Sequence, residues 1–186
     1  MNITTLFFII LLTAWLLEWF VFEETAKKKK EVSKNTIYVK ALLPFMFMSA
    51  ILSSYLLGRF SEEITLWSQM TGVSFIFIGL LLRYWTYFLT KQHFTRKMVI
   101  IENRPLYSSG PFRFTRHPFH MGFFFITQGI CIYLSGNWLS ILITFIFVGT
   151  ALHYRMTLEE SFYSKRYGEI YAYWCKHRFR LLPFVY

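Results

Sequence analysis

Cysteine is scarce in this sequence, and so are the features that usually divide a chain into domains. The two cysteines, Cys131 in an apolar segment and Cys175 in a basic tail, have no Cys-x-x-Cys spacing. They give no support for a disulfide or for a cysteine-based metal site, and they leave the redox compartment open. Because Ser/Gly-rich linkers, low-complexity tracts and internal repeats are also missing, we predict one domain over residues 1–186.

The N-terminus lacks the basic leader and the small-residue cleavage site of a secretory signal peptide. Residues 1–5 carry no charged side chain, and an apolar run continues from them as far as Phe22. We therefore expect the chain to begin with a membrane helix that is retained in the protein.

Apolar and aromatic residues are what the sequence has in excess. Hydrophobic residues make up 55% of the chain, aromatic residues 22%, and the mean hydropathy is +0.38. Ordinary soluble domains hold roughly 45–50% apolar residues, so this composition is typical of a membrane protein. The formal charge of +10 also suits nucleic-acid binding. The basic residues are interspersed with apolar spans, however, and we expect no nucleic-acid partner.

Five apolar stretches are long enough to cross a bilayer, which takes about 20 mostly apolar helical residues. They cover approximately residues 3–22, 37–57, 64–89, 118–134 and 138–153. The sequence thus predicts an all-α, multi-pass membrane protein. Because only Ser135, Gly136 and Asn137 separate the last two spans, these spans should form an antiparallel helical hairpin.

The basic residues orient this five-span arrangement. If the five spans alternate in direction, nineteen of the twenty lysine and arginine residues lie on one side of the membrane, and only Arg59 lies on the other. By the positive-inside rule the side with the nineteen basic residues is cytoplasmic, which places the N-terminus outside, the C-terminus inside, and a lysine run next to anionic membrane lipid. The nineteen residues on that side are Lys27, Lys28, Lys29, Lys30, Lys34, Lys40, Arg83, Lys91, Arg96, Lys97, Arg104, Arg113, Arg116, Arg155, Lys165, Arg166, Lys176, Arg178 and Arg180.

Two cytoplasmic segments remain, the loop 90–117 and the tail 156–186. The tail has apolar residues at mostly three- and four-residue steps, which predicts an amphipathic helix that lies on the membrane or folds back over the helix ends. A plain interfacial anchor would give the same pattern. The apolar positions are Leu158, Phe162, Tyr163, Tyr167, Ile170, Tyr171 and Trp174.

The loop carries the densest chemistry of the chain just before the fourth span. Gly110-Pro111 is a turn signal, and Pro118 suits the first turn of a helix. We expect this loop and the tail to form a cofactor site at the membrane surface. His117 and His120 have a spacing that suits two metal ligands on one helical face, but no third ligand is evident, and we predict no metal.

Ionisable residues near the spans have competing interpretations. Glu18 should reach water or a lysine, and His153 should interact with the dipole at the end of the fifth helix. Arg83 either snorkels to the interface or holds an anionic group or a neighbouring carboxylate. Glu159 and Glu160 project about 100° apart on a helix, so one can face inward as a cation site or salt bridge while the other stays solvated.

These residues closely resemble two motifs of the membrane methyltransferase family typified by isoprenylcysteine carboxyl methyltransferase, whose relatives include the phospholipid methyltransferases. Similarity covers about residues 79–183, and its weaker lead-in includes Gly79, Arg83, Phe94 and Thr95. The first motif is matched by Leu106, Gly110, Pro111, Arg113, Arg116, His117, Pro118 and Gly122, with Phe112 in place of a tyrosine. The second is matched without a gap by Glu159, Glu160, Tyr167, Gly168, Tyr171, Arg180 and Pro183.

The resemblance implies a helical membrane fold whose cytoplasmic loop and tail enclose S-adenosylmethionine. Residues 1–60 then hold the first two helices, and residues 61–186 form the methyltransferase core. The implied cofactor-binding residues are Leu106, Tyr107, Gly110, Pro111, Phe112, Arg116, His117, Pro118, Glu159 and Tyr171. The implied catalytic residues are Glu160 and Arg180, in which the arginine orients and polarises the acceptor and the carboxylate holds the arginine or receives a proton. The implied substrate-binding residues are Arg83, His120 and Trp174.

Three departures from the family pattern bear on the acceptor. His120 and Trp174 replace tyrosines, and Arg178 stands where an apolar residue is usual. We expect a lipophilic small-molecule or lipid-anchored acceptor, with a carboxyl or hydroxyl favoured over an amine or thiol. A non-catalytic module that binds anionic lipid is the alternative. A transporter is less well supported, since the spans lack paired Gly/Pro-broken helices.

Overall fold

The computed structural model describes residues 2–24, 29–31, 35–60, 64–95, 99–101 and 105–182. The predictions made for Lys27, Lys28, Lys34, Arg96, Lys97, Arg104 and Pro183 lie outside these residues.

The fold is helical, as predicted, with one very short strand ladder. The helices are α1 (Ile3–Val21), α2 (Asn35–Arg59), α3 (Leu66–Thr90), α4 (Pro118–Ser135), α5 (Leu139–Thr144), α6 (Thr150–Tyr167) and α7 (Glu169–Lys176). A π-helical turn, Phe145–Gly149, joins α5 to α6, and 3-10 turns cover Lys91–His93 and Gly110–Arg113. Strand β1 (Lys29–Glu31) pairs antiparallel with β2 (Val99–Ile101).

Among the described residues, four helical runs are long and apolar enough to cross a membrane. They are Ile3–Val21, Ala41–Arg59, Leu66–His93 and Leu139–Tyr167. Helix α4, which corresponds to the fourth predicted span, is not one of them, because its 18 residues include polar side chains such as His120 and Gln128. The chain therefore has the helices of a multi-pass membrane protein, but the predicted count of five spans is not confirmed.

Helix α4 occupies the centre of the bundle. It packs against α2, α3 and α5, and its side chains Ile126, Thr127 and Cys131 are fully buried. The approach of α3 is very close, since a Cβ atom added to Gly129 would lie 2.4 Å from a backbone oxygen of α3. Polar side chains are tolerated on a helix that is surrounded by other helices, whereas contact with lipid would disfavour them. This position explains why α4 is less apolar than its neighbours.

The predicted hairpin between α4 and α5 is present. Gly136, at a φ of 62°, ends α4 in the left-handed conformation that favours glycine, and Phe124 of α4 packs edge-on against Phe145 beyond the turn. Both cysteines are free, in agreement with the absence of a predicted disulfide.

The helix that contains the last predicted span extends well beyond that span. The helix does not end near His153 but continues to Tyr167, and the tail breaks only at Gly168, whose φ is 52°. No helix-breaking residue lies between these two points, whereas glycine adopts a positive φ without strain. The tail is therefore not one amphipathic helix, and only the short α7 follows the break. His153 does not lie at a helix end, so its predicted dipole interaction is also wrong.

Candidate active site between the loop and the tail

Backbone hydrogen bonds join the segment before α4 to the segment after α7. The N–H of Arg116 donates to the carbonyl of Phe179 at 2.8 Å, and the N–H of Phe179 donates to the carbonyl of Phe114 at 2.9 Å. The indole N–H of Trp174 donates to the carbonyl of Tyr107 at 3.1 Å. The tail thus folds back over the loop, which was one of the two arrangements that its sequence pattern allowed.

Arg178 contributes to the same junction. Its guanidinium donates to the carbonyl oxygens of Phe112, at 2.6 Å, and Trp174, at 2.8 Å, and it lies 4.6 Å from the centre of the Trp174 ring. We expected this residue in the acceptor half of the site. The structure shows instead that Arg178 ties α7 to the loop.

Glu160 connects the two motifs. One of its carboxylate oxygens accepts a hydrogen bond from Arg116 at 3.1 Å and lies 3.1 Å from Nε2 of His117. The other oxygen lies 3.1 Å from Nε of Arg180. The Arg180 guanidinium also donates to Oγ1 of Thr157 at 2.6 Å. The structure therefore brings the two residues with an implied catalytic role into one ion pair.

Glu159 also faces the histidines, so the expectation that one of the two carboxylates stays solvated is wrong. Both of its oxygens lie 3.2 Å from Nε2 of His120, and one accepts a hydrogen bond from Nε of Arg155 at 3.0 Å. The rings of His117 and His120 are nearly parallel, with their centres 5.6 Å apart. His117 immediately precedes α4 and His120 lies in its first turn, so both rings can face the two carboxylates of α6.

A cavity of about 640 Å³ opens beside this cluster. Its wall includes eight of the ten residues with an implied cofactor role, namely Leu106, Tyr107, Phe112, Arg116, His117, Pro118, Glu159 and Tyr171. It also includes the three residues with an implied substrate role, Arg83, His120 and Trp174. The wall does not include Gly110 or Pro111, which shape the turn. It also does not include Glu160, which contacts the wall residues Arg116 and His117, or Arg180, which pairs with Glu160.

Aromatic pairs supply much of the wall near the tail. The rings of Tyr107 and Phe112 stack with their centres 5.5 Å apart, and those of Tyr171 and Trp174 with their centres 5.8 Å apart. Burial and, next, the negative charge of Glu160 raise the pKa of Tyr171. Its hydroxyl therefore stays neutral at physiological pH, and the aromatic faces suit a cationic ligand group.

Glu18 and Arg83 form an ion pair, although the sequence did not identify Glu18 as the partner of Arg83. Arg83 Nε donates to Glu18 at 2.6 Å, a second guanidinium nitrogen contacts the other carboxylate oxygen, and the guanidinium lies 3.8 Å from the centre of the Phe119 ring. The expectation that Glu18 reaches water is wrong, because its side chain is buried, and the partner observed among the described residues is Arg83. Of the alternatives left open for Arg83, a carboxylate from a neighbouring helix is the one observed. The available signal was that two opposite charges lie near the same predicted end of two spans.

The apolar half of the cavity was also missed. It is lined by side chains of α1 and α2, among them Trp15, Leu16, Trp19, Leu43 and Pro44. Neither helix belongs to the two motifs, and an apolar residue in a membrane helix gives no sign of whether it faces lipid or a cavity. Only the packing of the helices reveals that contribution.

Comparison with known families gives one match. The family described as isoprenylcysteine carboxyl methyltransferase matches residues 71–164, just over half of the chain. The matched region runs from α3 into α6 and includes His117, Glu159 and Glu160, whereas α1, α2 and α7 lie outside it. No curated protein matches the chain.

Proposed function

The chain belongs to the isoprenylcysteine carboxyl methyltransferase family, and from that premise we propose that it transfers a methyl group from S-adenosylmethionine to a lipophilic acceptor at the membrane. The observation that carries the proposal is the convergence of the two motifs. Arg116 and His117 from the loop meet Glu160 from α6 at 3.1 Å, next to a cavity of about 640 Å³. A cavity of this size is in the usual range for cofactor sites.

The residues around the cavity fit the three chemical parts of the donor. Arg116 suits its amino-acid carboxylate, because guanidinium groups bind carboxylates with two parallel hydrogen bonds. The faces of Tyr171 and Trp174 suit its sulfonium cation, as does the carboxylate of Glu159. The apolar wall at Leu106, with the adjacent aromatic pair of the loop, suits its adenine ring. Together these groups form the proposed cofactor site.

The donor, when bound, supplies an electrophilic methyl group, and the protein must align the acceptor behind it. Such alignment and the exclusion of water account for most of the expected acceleration. We assign to Glu160 the role of holding Arg116, His117 and Arg180 in place. Arg180, which the resemblance implied as the group that polarises the acceptor, does not line the cavity, so we assign to it the role of holding Glu160 through their ion pair.

The acceptor enters through the apolar half of the cavity. Trp15 and Leu16 of α1 and Leu43 and Pro44 of α2 would surround a hydrocarbon chain, while the reacting atom points towards His120. A carboxyl or hydroxyl acceptor is favoured, with amine and thiol acceptors as alternatives.

The proposed orientation keeps the cavity on the cytoplasmic side, with the N-terminus outside. It requires α4 to cross the bilayer with the four apolar runs, shielded from lipid by α2, α3 and α5. Labelling of single cysteines at Asn2 and Lys176 with an impermeant reagent tests it. Modification at position 2 from outside intact cells, and at position 176 only after lysis, is expected. The reverse pattern, or both positions on one side, would reject this orientation.

Methyl transfer itself can be tested without knowing the acceptor. Membranes that contain the protein are incubated with a methyl-labelled donor, and extracted lipids and small molecules are compared with those from membranes without it. We expect a labelled lipophilic product that is absent when His117→Ala replaces the native chain. Equal labelling with the native protein, with this variant and without protein would contradict the proposal. Lipid binding that fades with salt, without any labelled product, would favour the non-catalytic module.

A further inference from the structure

The exposed tryptophans of the protein lie near the ends of its helices. Of the six tryptophans in the chain, four are between 54% and 81% exposed, namely Trp19, Trp67, Trp85 and Trp138. Trp67 lies in the first turn of α3 and Trp138 directly precedes α5, whereas Trp19 and Trp85 lie within the last two turns of α1 and α3. Tryptophan is enriched at lipid–water interfaces, because its ring is apolar and its indole N–H is polar.

Two of these tryptophans share one level of the helix bundle. Glu18, next to Trp19, pairs with Arg83, two residues before Trp85. Helices α1 and α3 therefore end at similar levels, on the side of the loop before α4. We call Trp19 and Trp85 the loop-side belt.

The other two tryptophans lie at the opposite end of the bundle. A Cβ atom added to Gly129 of α4 would lie 2.4 Å from the backbone oxygen of Gly72 of α3, so the end of α4 packs near the beginning of α3. The hairpin after α4 then brings Trp138 to the level of Trp67. We call Trp67 and Trp138 the hairpin-side belt.

The two belts are about 27 Å apart. Trp67 and Trp85 belong to the same helix, and the 18 residues that separate them correspond to five turns, or about 27 Å at 1.5 Å per residue. A whole number of turns puts both rings on the same face of α3. Helix α4, which begins and ends at turns, also has 18 residues and hence the same length.

The face of α3 between its two tryptophans suits contact with hydrocarbon. Its exposed side chains include Met70, Phe77 and Leu81. The hydroxyls of Thr71 and Ser74 on this face each donate to the carbonyl four residues earlier, at 2.8 and 2.9 Å, so neither presents an unpaired donor to lipid. The single charged residue of α1 and that of α3 are buried and pair with each other.

We propose that the two belts mark the lipid–water interfaces, so that the protein fits a bilayer with a hydrocarbon layer about 27 Å thick. A helix tilt of about 20° would lower the fitted thickness to about 25 Å. An average bilayer has a hydrocarbon core of about 30 Å, and sterol-rich plasma membranes reach about 32–33 Å. The partner of this surface is therefore a bilayer thinner than average. The inference goes beyond the proposed methyl transfer, which sets no bilayer thickness.

The loop before α4 lies at the loop-side interface. A Cβ atom added to Gly110 would lie 2.6 Å from Leu89 and 3.2 Å from the indole nitrogen of Trp85, so the loop rests against the belt. Phe114 of the same loop is 65% exposed, and its neighbour Arg113 is exposed as well. An aromatic ring beside a basic group suits the boundary between acyl chains and lipid phosphates. Phe114 therefore inserts into this interface.

Helix α7, in contrast, begins outside the interface. Glu160 of α6 contacts the residues just before α4, and α6 continues for seven more residues, about 10 Å, as far as Tyr167. Ile170 of α7 is 70% exposed, much like Phe114, but at this height it faces water. The two positions thus form a matched pair of exposed apolar side chains, one in lipid and one outside it.

Spin labels on single cysteines in the full chain, reconstituted into phosphatidylcholine vesicles, test these positions. The background carries Cys175→Ser, and Cys131 is buried and escapes labelling. Collision of the label with oxygen and with a water-soluble nickel complex gives its depth in the bilayer. The labelled variants are Trp67→Cys, Phe77→Cys, Trp85→Cys, Phe114→Cys and Ile170→Cys.

The label at Phe77 should lie about 12 Å deeper than the label at Trp85, which is eight residues away on α3. The label at Phe114 should have the depth of the label at Trp85, and the label at Ile170 should be in water. Equal nickel accessibility at Phe114 and Ile170 would overturn the insertion of the loop. A label at Trp67 or Trp85 as deep as the label at Phe77 would overturn the fit. Arg113→Cys replaces Phe114→Cys if the latter does not fold.

The thickness itself is tested with the native chain in a series of monounsaturated phosphatidylcholines of increasing chain length. Across hydrocarbon layers of about 20–35 Å, the thermal unfolding temperature should be highest near 27 Å and fall on both sides, because mismatch costs free energy. An unfolding temperature that rises steadily to the thickest bilayer would overturn the proposal. These measurements contain no methyl donor, so their outcome is separate from that of the proposed function.

Discussion

Motif residues build the polar half of the cavity, whereas side chains outside the motifs build the apolar half. Arg116, His117 and Glu159 lie in the region that matches the family, but Trp15 and Leu43 come from α1 and α2, which lie outside it. In the proposed function the polar half holds the donor and the apolar half holds the acceptor. The motifs that define the proposed donor site therefore say little about the acceptor, because the two halves of the cavity come from different parts of the chain.

Breaking the ion pair between Glu18 and Arg83, where the two halves of the cavity meet, should have the largest effect on the protein. Glu18→Gln leaves the guanidinium of Arg83 buried without its carboxylate, and removing one partner of a buried pair costs about 3–5 kcal/mol of stability. We expect a marked fall in thermal unfolding temperature in detergent. Glu18→Gln combined with Arg83→Met should lose less stability than Glu18→Gln alone. An unfolding temperature unchanged in Glu18→Gln would show that the pair is not a structural link between α1 and α3.

The next test concerns the polar half of the cavity and uses Glu160→Gln. Loss of the negative charge releases Arg180, Arg116 and His117, and small displacements of aligned groups can cost about 100-fold in rate. Methyl labelling of membrane lipids should fall by about that factor. Glu169→Gln, an exposed carboxylate of α7, is the control and should keep native activity. A Glu160→Gln variant as active as this control would show that Glu160 does not hold the neighbouring groups in place for methyl transfer.

The apolar half is tested by Trp15→Ala. The side chain packs edge-on against Phe47 and lines the cavity, and burying such a side chain contributes roughly 1.5–3 kcal/mol. We expect the KM for the acceptor to rise by about ten-fold, while kcat and the affinity for S-adenosylhomocysteine stay near native values. Trp138→Ala, at an exposed position, should change neither constant. Loss of S-adenosylhomocysteine binding in Trp15→Ala would contradict the division into two halves.

The smallest effect is expected at the break between α6 and α7. Gly168 has a φ of 52°, and alanine at a positive φ is strained even though no atom lies within 4 Å of an added Cβ. Gly168→Ala should therefore lower the stability by about 1 kcal/mol, measured by denaturant unfolding. Gly149→Ala is the control, because that glycine has a helical φ and an open side. A Gly168→Ala variant more stable than native would show that the break is not needed.

Local patterns predicted the local features of the fold. Pro118 begins α4 as the sequence indicated, Gly136 closes the hairpin, and the first three spans lie close to their predicted positions. The meeting of loop and tail was expected because both fell on the same side of the predicted spans. The break at Gly168 also had a local signal in the sequence, since a glycine within an amphipathic pattern often ends a helix.

Features that depend on distant pairs could not be predicted in the same way. Glu18 and Arg83 are 65 residues apart, and Glu159 meets His120 across 39 residues. Helical periodicity tells which residues share a face of one helix but not which face of another helix they meet. For the same reason the sequence did not show that α4 is the central helix, or that Trp15 faces a cavity.

The central claim, a donor site built by the two motifs, is tested most directly by titration calorimetry with S-adenosylhomocysteine. The folded protein in detergent should bind one molecule per chain, and His117→Ala should abolish or greatly weaken binding. His177→Ala, outside the cavity wall, should bind as the native chain does. No binding by a folded native sample, or equal binding by the native chain and His117→Ala, would contradict the account.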